Sequence, residues 1–231
     1  MVLHLAGETD LDHCELKPKQ AFKDNVKLTY EIARTCRNLG IPIIYLSSDA
    51  AADPCSEYGW QKRASEAILL NLPNNRIVRV GWVYGDTWGF PQAVLNMLEK
   101  YGTVMAPRTE LGAPVYIDDL LIHLLKVVTT PFETWKSMST IEEIGCMPIV
   151  SRYELAQRVV RQVTGMHVGV VTAGLDPKYI AKRPEQGILA GNLRDWQPTF
   201  NDWCEVKRKA PGTPGAEAAG QAGEVPSDTE G

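Results

Sequence analysis

Short apolar runs alternate with longer stretches of helical periodicity through the first third of the chain. Residues 2–6, 41–46 and 76–83 are rich in Val, Ile and Leu and of strand length, as expected for strands buried on both faces. Between the first two, Phe22, Val26, Tyr30, Ile32, Ala33 and Cys36 recur at roughly helical spacing over residues 21–39, and Gly40 stands where a helix C-cap glycine belongs. Between the second and third, a polar loop leads into a helix opened by Tyr58-Gly59-Trp60-Gln61-Lys62. Strand, helix, strand, helix, strand implies parallel βαβ units and an α/β, doubly wound sheet. Residues 7–10 and 12–18 read as polar loop. Further along, residues 90–100 have helical spacing, 111–115 turn into a short extended run, and 117–128 form a helix whose Asp118 and Asp119 suit its N-terminal dipole. Residues 139–149 read as extended, Ser151 and Glu154 as a capping box opening a helix to about Thr164, and 168–171 as a strand. A tryptophan-bearing segment over 192–203 closes the patterned part. Residues 208–231 are Ala, Gly, Pro, Glu and Ser with almost no bulky apolar residue, which predicts a disordered tail.

In sheets of this kind the chemistry sits at the carboxyl ends of the strands. Ala6-Gly7, Ser47-Ser48-Asp49 and Trp82-Val83-Tyr84-Gly85 all fall at such ends. Tyr58 and Lys62 are four apart and share a helix face, so an ammonium stands beside a phenol and favours its ionised form, drawing its pKa toward working pH. The Ser48 hydroxyl would hold a substrate oxygen within reach of that phenol. With eight tyrosines in the chain the Tyr-x-x-x-Lys spacing also arises by chance, and it gains weight from the strand ending in Ser-Ser-Asp that precedes it.

Composition narrows the class. The 231 residues, 44% hydrophobic, fit one domain of ordinary size or one with a small satellite. A net charge of −4 gives no electrostatic footprint for nucleic acid. No apolar run approaches the roughly 18 residues of a membrane span, and the first residues lack the basic and apolar regions of a signal peptide. Cys14, Cys36, Cys55, Cys146 and Cys204 are odd in number and never spaced Cys-x-x-Cys, and the four histidines are dispersed. Reduced thiols in a cytoplasmic protein without a metal site are the expectation.

An ordered run of motifs resembles one family. His4-Leu5-Ala6-Gly7-Glu8-Thr9-Asp10-Leu11-Asp12-His13-Cys14-Glu15 resembles the strand end and loop of the extended short-chain dehydrogenases/reductases, and Asp12…Glu15 with Asn25 in the next helix looks like their dTDP-4-dehydrorhamnose reductase branch. Ser47-Ser48-Asp49 resembles that branch's Ser-Thr-Asp, and Tyr58…Lys62 its catalytic pair. Arg79-Val80-Gly81-Trp82-Val83-Tyr84-Gly85 is similar to its Arg-x-x-Trp-Val-Tyr-Gly. Leu111-Gly112-Ala113-Pro114, Asp119-Leu120 and Arg183-Pro184 with Leu189 match its later motifs, so the resemblance covers roughly residues 2–205. It implies a Rossmann-type sheet with a small C-terminal α+β substrate-binding part: residues 1–85 as the C-terminal part of the Rossmann-like domain, 86–207 as the substrate-binding region with interleaved Rossmann elements, and 208–231 as tail. It also implies reduction of a 4-keto sugar nucleotide by NADP or NAD. Ser48, Tyr58 and Lys62 would be catalytic, with Asn25 ordering a relay water. Ala6, Gly7, Tyr58 and Lys62 would meet the cofactor, and Ser48, Asp49, Trp82 and Arg183 the substrate. Asp49 is also a common strand-end turn former, and Trp82 is equally at home in a core.

The chain departs from that pattern twice. It has no Gly-x-x-Gly-x-x-Gly, the turn that cradles a dinucleotide diphosphate. It begins at what would be the fourth strand, about 60 residues or two βα units into such a domain. The expectation is an N-terminally truncated form whose exposed apolar sheet edge is covered by a second copy or a partner chain. Only ten positions separate Ser48 from Tyr58, a shorter loop than the branch carries, which alters the pocket wall. Three readings follow: a reductase, a non-catalytic homologue that binds sugar nucleotides or acts as a regulatory subunit, and an NAD-dependent epimerase or dehydratase.

Overall fold

The structure is a computed structural model that describes residues 1–135, 138, 140–174, 180–183 and 195–210. Strand β1 (Val2–His4) is followed by helices α1 (Leu11–Leu16) and α2 (Pro18–Phe22), a π-helical turn (Lys23–Lys27) and α3 (Leu28–Leu39). Strand β2 (Ile43–Ser48), a 3-10 turn (Asp49–Ala51), α4 (Glu57–Leu70) and β3 (Asn75–Val80) complete two parallel crossovers. The chain then runs through β4 (Trp82–Tyr84), α5 (Phe90–Tyr101), β5 (Val104–Ala106), β6 (Leu111–Gly112), β7 (Pro114–Tyr116), α6 (Ile117–Thr129) and α7 (Phe132–Trp135). Strand β8 (Ile141–Ile144) returns it to the sheet, and β9 (Val150–Ser151), α8 (Arg152–Val159), β10 (Val171–Ala173) and α9 (Gln197–Lys209) follow.

The central sheet has the order β1-β2-β3-β8, every pair parallel. Side-chain alternation decides its layers. Ile43, Tyr45 and Ile77 pack against Ala33 and Cys36 of α3 and Leu69 of α4. Ile44, Val78 and Val80 face the other way, into a larger core with α5, α6, α8 and α9. Each fully buried aliphatic side chain contributes about 1.5–3 kcal/mol. Both faces are covered, as in the doubly wound α/β sheet that the periodicity predicts. Outer strand β1 bonds β2 alone among the described residues, and Leu3 and Leu5 beside that edge are exposed.

A buried polar cluster ties the sheet to α4. Arg79 donates to both oxygens of Glu66, at 2.8 and 2.7 Å, and to Glu143 at 2.9 Å. The Ser47 hydroxyl donates to Glu66 at 2.7 Å. Residues from β2, β3, β8 and α4 are thereby joined under the site.

Several local expectations are corrected. Residues 11–16 are helical, because the Asp10 side chain accepts from the His13 N–H at 3.0 Å and caps the turn while Cys14 is buried. The helix expected over 21–39 is interrupted by the π-helical turn, whose Asn25 carbonyl accepts from the Thr29 and Ser65 hydroxyls at 2.6 and 2.8 Å. Gly40 does close α3 in the left-handed conformation, φ 63°. The strand expected over 76–83 is two strands. β3 ends at Val80, and after Gly81 the chain leaves the sheet so that Trp82–Tyr84 pairs with Pro114–Tyr116. Among the described residues of 139–149 only Ile141–Ile144 is a strand, and the strand expected over 168–171 is a 3-10 turn (Val168–Val170) followed by β10, which pairs with β5. The capping box at Ser151 and Glu154 is formed, and its helix ends in a π-helical turn (Val160–Thr164). Helix α9 runs into the expected tail as far as Lys209, its basic last turn complementing the C-terminal dipole. Residues 211–231 lie outside the described residues.

Candidate active site

A cavity of about 370 Å³ opens where β1, β2 and β3 end. Leu5, Ser48 and Gly81 reach it from the three strand ends, and Tyr58 and Lys62 from the first turns of α4. The position of α4 follows from its start. The Ser56 side chain caps it by accepting from the Gly59 N–H at 3.2 Å. Gly59 then packs so closely that a Cβ there would lie 2.7 Å from the Ala50 carbonyl and 3.2 Å from Pro54. Tyr58 is thereby pressed against the turn that carries Ser48 and Asp49. Gly59→Ala is expected to cost about 1–3 kcal/mol by overpacking this contact. Urea unfolding measures it, and an unchanged midpoint would mean the turn yields freely.

The site's charges are set by burial. The Tyr58 phenol is pushed well above its ordinary value by burial, with the Asp49 carboxylate adding to the rise and a hydrogen bond with Ser48 opposing it. Burial pulls Lys62 down to about 8, against the Glu66 carboxylate one turn further on, which raises it. The Lys62 ammonium donates to the Leu46 carbonyl at 3.1 Å and stands 5.8 Å from the centre of the Tyr58 ring. Burial outweighs the pull expected of Lys62, so the phenol is raised rather than drawn toward neutral pH. The phenol stays protonated, the form a proton donor needs. Asp49 is half-buried, its carboxyl raised by desolvation, and its Oδ1 accepts from the Ser48 hydroxyl and the Ala50 N–H, both at 2.8 Å. It thus shapes the turn and aims Ser48 while lining the cavity.

The sequence and the fold have counterparts among known proteins. The sequence profile of the RmlD substrate-binding domain matches residues 1–202. The chain belongs to that family. A dTDP-4-dehydrorhamnose reductase of Mycolicibacterium smegmatis is 26% identical over 87% of this chain and 69% of its own length. Among solved structures, a dTDP-4-dehydrorhamnose reductase of Clostridium acetobutylicum superposes with a TM-score of 0.74 at 24% identity, covering 89% of this chain and 80% of that one. A Bacillus anthracis dTDP-4-dehydrorhamnose reductase in complex with NADP gives 0.72 at 20% identity, covering 88% and 78%. These structural likenesses establish the shared α/β fold.

Within this RmlD-family chain the cavity gathers Ser48, Asp49, Tyr58, Lys62, Trp82 and Arg183. Arg183 is held by Asp12, at 3.3 Å, whose other oxygen accepts from the Ile180 and Ala181 N–H groups. Pro184 and Leu189, quoted with it in the sequence, lie outside the described residues. Ala6 and Gly7 are not in the cavity wall. Gly7 packs behind Lys62, where a Cβ would lie 2.6 Å from Asn25 Oδ1 and 4.0 Å from Lys62 Nζ. Asn25 is buried outside the cavity. Its side chain accepts from the Glu8 N–H at 2.8 Å and donates to Gln61 at 2.9 Å, so it braces the turn behind the site.

The sequence reading missed Glu110 and Arg152. Arg152 follows the Ser151 cap, and its guanidinium lies 3.8 Å from the centre of the Trp82 ring and 4.5 Å from that of Phe90. Both residues also line an adjoining chamber of about 650 Å³, which shares Trp82 and Arg183 with the inner cavity. No local pattern marks them, because the β6–β9 pairing brings them in from far apart. Among the described residues no cluster of His, Cys, Asp and Glu suits a metal ion, and no helix is long and apolar enough to cross a membrane.

Proposed function

We propose that this RmlD-family chain reduces the ketone of a 4-keto sugar nucleotide with a nicotinamide dinucleotide, as the names of its relatives suggest. The observation that carries the reading is the convergence of Ser48, Tyr58 and Lys62 on one cavity wall, with the phenol kept protonated by burial. A buried ammonium and phenol at the carboxyl edge of a parallel sheet fit the ribose and nicotinamide end of such a cofactor, and Tyr58 and Lys62 would hold it. The sequence supplies no Gly-x-x-Gly-x-x-Gly turn for the diphosphate. When bound, NADPH or NADH supplies hydride to the carbonyl carbon.

The chain's own residues manage the proton. Tyr58 donates to the carbonyl oxygen as negative charge develops there, and the Lys62 ammonium stabilises the phenolate left behind. The Ser48 hydroxyl, free to rotate, turns its proton from Asp49 to the same oxygen. Trp82 and Arg183 form the substrate wall. None of the five cysteines forms a disulfide among the described residues, which supports a cytoplasmic setting. The open edge of β1 with exposed Leu3 and Leu5 supports covering by a second copy or a partner chain.

The test is oxidation of NADPH and NADH followed by absorbance with dTDP-4-dehydrorhamnose as substrate. Turnover supports the reductase; ligand binding without oxidation of either cofactor would replace it with a non-catalytic binding subunit. A pH profile adds a second check. Below about 8 Lys62 is charged, and above it the proton is lost, so the rate is expected to fall as pH rises past that value. In Lys62→Arg, which stays charged, the decline should be absent from that range.

A further inference from the structure

We infer that Glu110 is a specificity-determining residue of the site, accepting a hydrogen bond from a ring hydroxyl of the sugar at the neck between the two chambers. This rests on reading the site as one for a sugar nucleotide. Glu110 lines both chambers, yet it is only 7% exposed. Its Oε1 is shielded from solvent and has no hydrogen-bond partner among the described residues. Its Oε2 is 3.7 Å from Arg152 Nε, an ion-pair distance beyond hydrogen-bonding length. Burial raises the Glu110 carboxyl, and the Arg152 and Arg183 charges oppose the rise. A buried acceptor left without a donor costs free energy, so a ligand that supplies one binds with that cost removed. The terminal torsion of a glutamate is soft, and rotation about it turns Oε1 toward the cavity.

The surroundings say which donor fits. The unpartnered oxygen needs a donor, which an ionised phosphate oxygen is not, and the Arg152 and Arg183 charges nearby disfavour a cation, so a neutral hydroxyl is the match. The position is rigid. The Glu110 carbonyl accepts from the Arg152 N–H at 3.1 Å, and the next residue, Leu111, pairs with Ser151. Arg152 in turn lies over Trp82, whose indole is packed so tightly on Gly112 that a Cβ there would lie 2.7 Å from it. A residue so fixed can select one hydroxyl geometry over another.

The experiment is equilibrium binding of dTDP-glucose and of dTDP alone, by tryptophan fluorescence, without turnover. Wild-type protein is expected to prefer dTDP-glucose about tenfold or more. Glu110→Ala should remove that preference and leave dTDP binding unchanged, while Glu110→Gln, still an acceptor, should retain part of it. Equal weakening of both ligands in Glu110→Ala, or an intact preference, overturns the inference. Should the alanine variant fail to fold, wild-type protein with dTDP-sugars lacking one ring hydroxyl at a time decides the matter. One deoxy position must cost about tenfold, and no such position overturns the inference. Wild-type binding of dTDP without any preference for dTDP-glucose defeats this inference alone, whereas binding of neither ligand defeats the reading of the site with it.

Discussion

Replacing Tyr58 by Phe is expected to lower the rate of ketone reduction about 100- to 10,000-fold, the range in which a positioned general acid contributes. The change removes one hydroxyl and nothing else. Tyr58 is buried against Cys14, Ala21 and Ala50, and the phenyl ring keeps those contacts. The lost hydrogen bond is the one with Ser48, worth about 1 kcal/mol, so the fold should survive. Without the phenol, charge on the substrate oxygen is met by Ser48 alone, and Lys62 has no phenolate to stabilise. The measurement is single-turnover NADPH oxidation together with the unfolding midpoint. Full activity in a folded Tyr58→Phe protein would remove the phenol from the mechanism, and a loss of folding would shift its role to packing.

Arg79→Met is expected to destabilise the protein by about 3–5 kcal/mol, a large share of the roughly 5–15 kcal/mol typical of a domain. Glu66 is 1% exposed, and Arg79 satisfies both its oxygens. Without the guanidinium, the carboxylate keeps the Ser47 hydroxyl as its one hydrogen-bond donor among the described residues, in a medium that solvates charge poorly. The cost comes from the orphaned charge more than from the lost attraction, and this has a consequence. The double variant Glu66→Leu/Arg79→Met, which removes the orphaned carboxylate, should be more stable than Arg79→Met alone. Urea unfolding of wild type, single and double variants decides it. A single variant within 1 kcal/mol of wild type, on the scale of an exposed pair, would show that solvent reaches Glu66. Because Glu66 also supports the charge of Lys62, the same variants test how far the network beneath the sheet tunes the site.

The candidate site was legible where its residues lie close in sequence on regular elements. Tyr58 and Lys62 share a helix face by spacing alone, and Ser48 ends a strand that leads directly to that helix. Gly40 was legible because only a left-handed residue closes a helix that way. Helix Leu11–Leu16 was not, being short and mostly polar, with a cap and one buried cysteine in place of an apolar stripe. The break at Gly81 was hidden because Trp82–Tyr84 is as apolar as the strand before it, and its partner lies on β7. Asn25 fits the resemblance by position, yet its hydrogen bonds turn it inward to brace the Gly7 turn. Glu110 and Arg152 carried no signal, since a lone glutamate and a helix-opening arginine are ordinary surface residues.

The sequence by itself determined the α/β class, the alternation of β1, α3, β2, α4 and β3, and the nearness of Ser48, Tyr58 and Lys62 at a strand end and the helix that follows it. These follow from periodicity, capping and spacing, which are short-range properties of a chain. Only the tertiary structure decided the phenol's raised pKa, the burial of Glu66 beneath Arg79, and the wall of Trp82, Glu110 and Arg152. Each depends on how much water is excluded and which distant strands pair, and burial and long-range pairing exist only once the chain has folded.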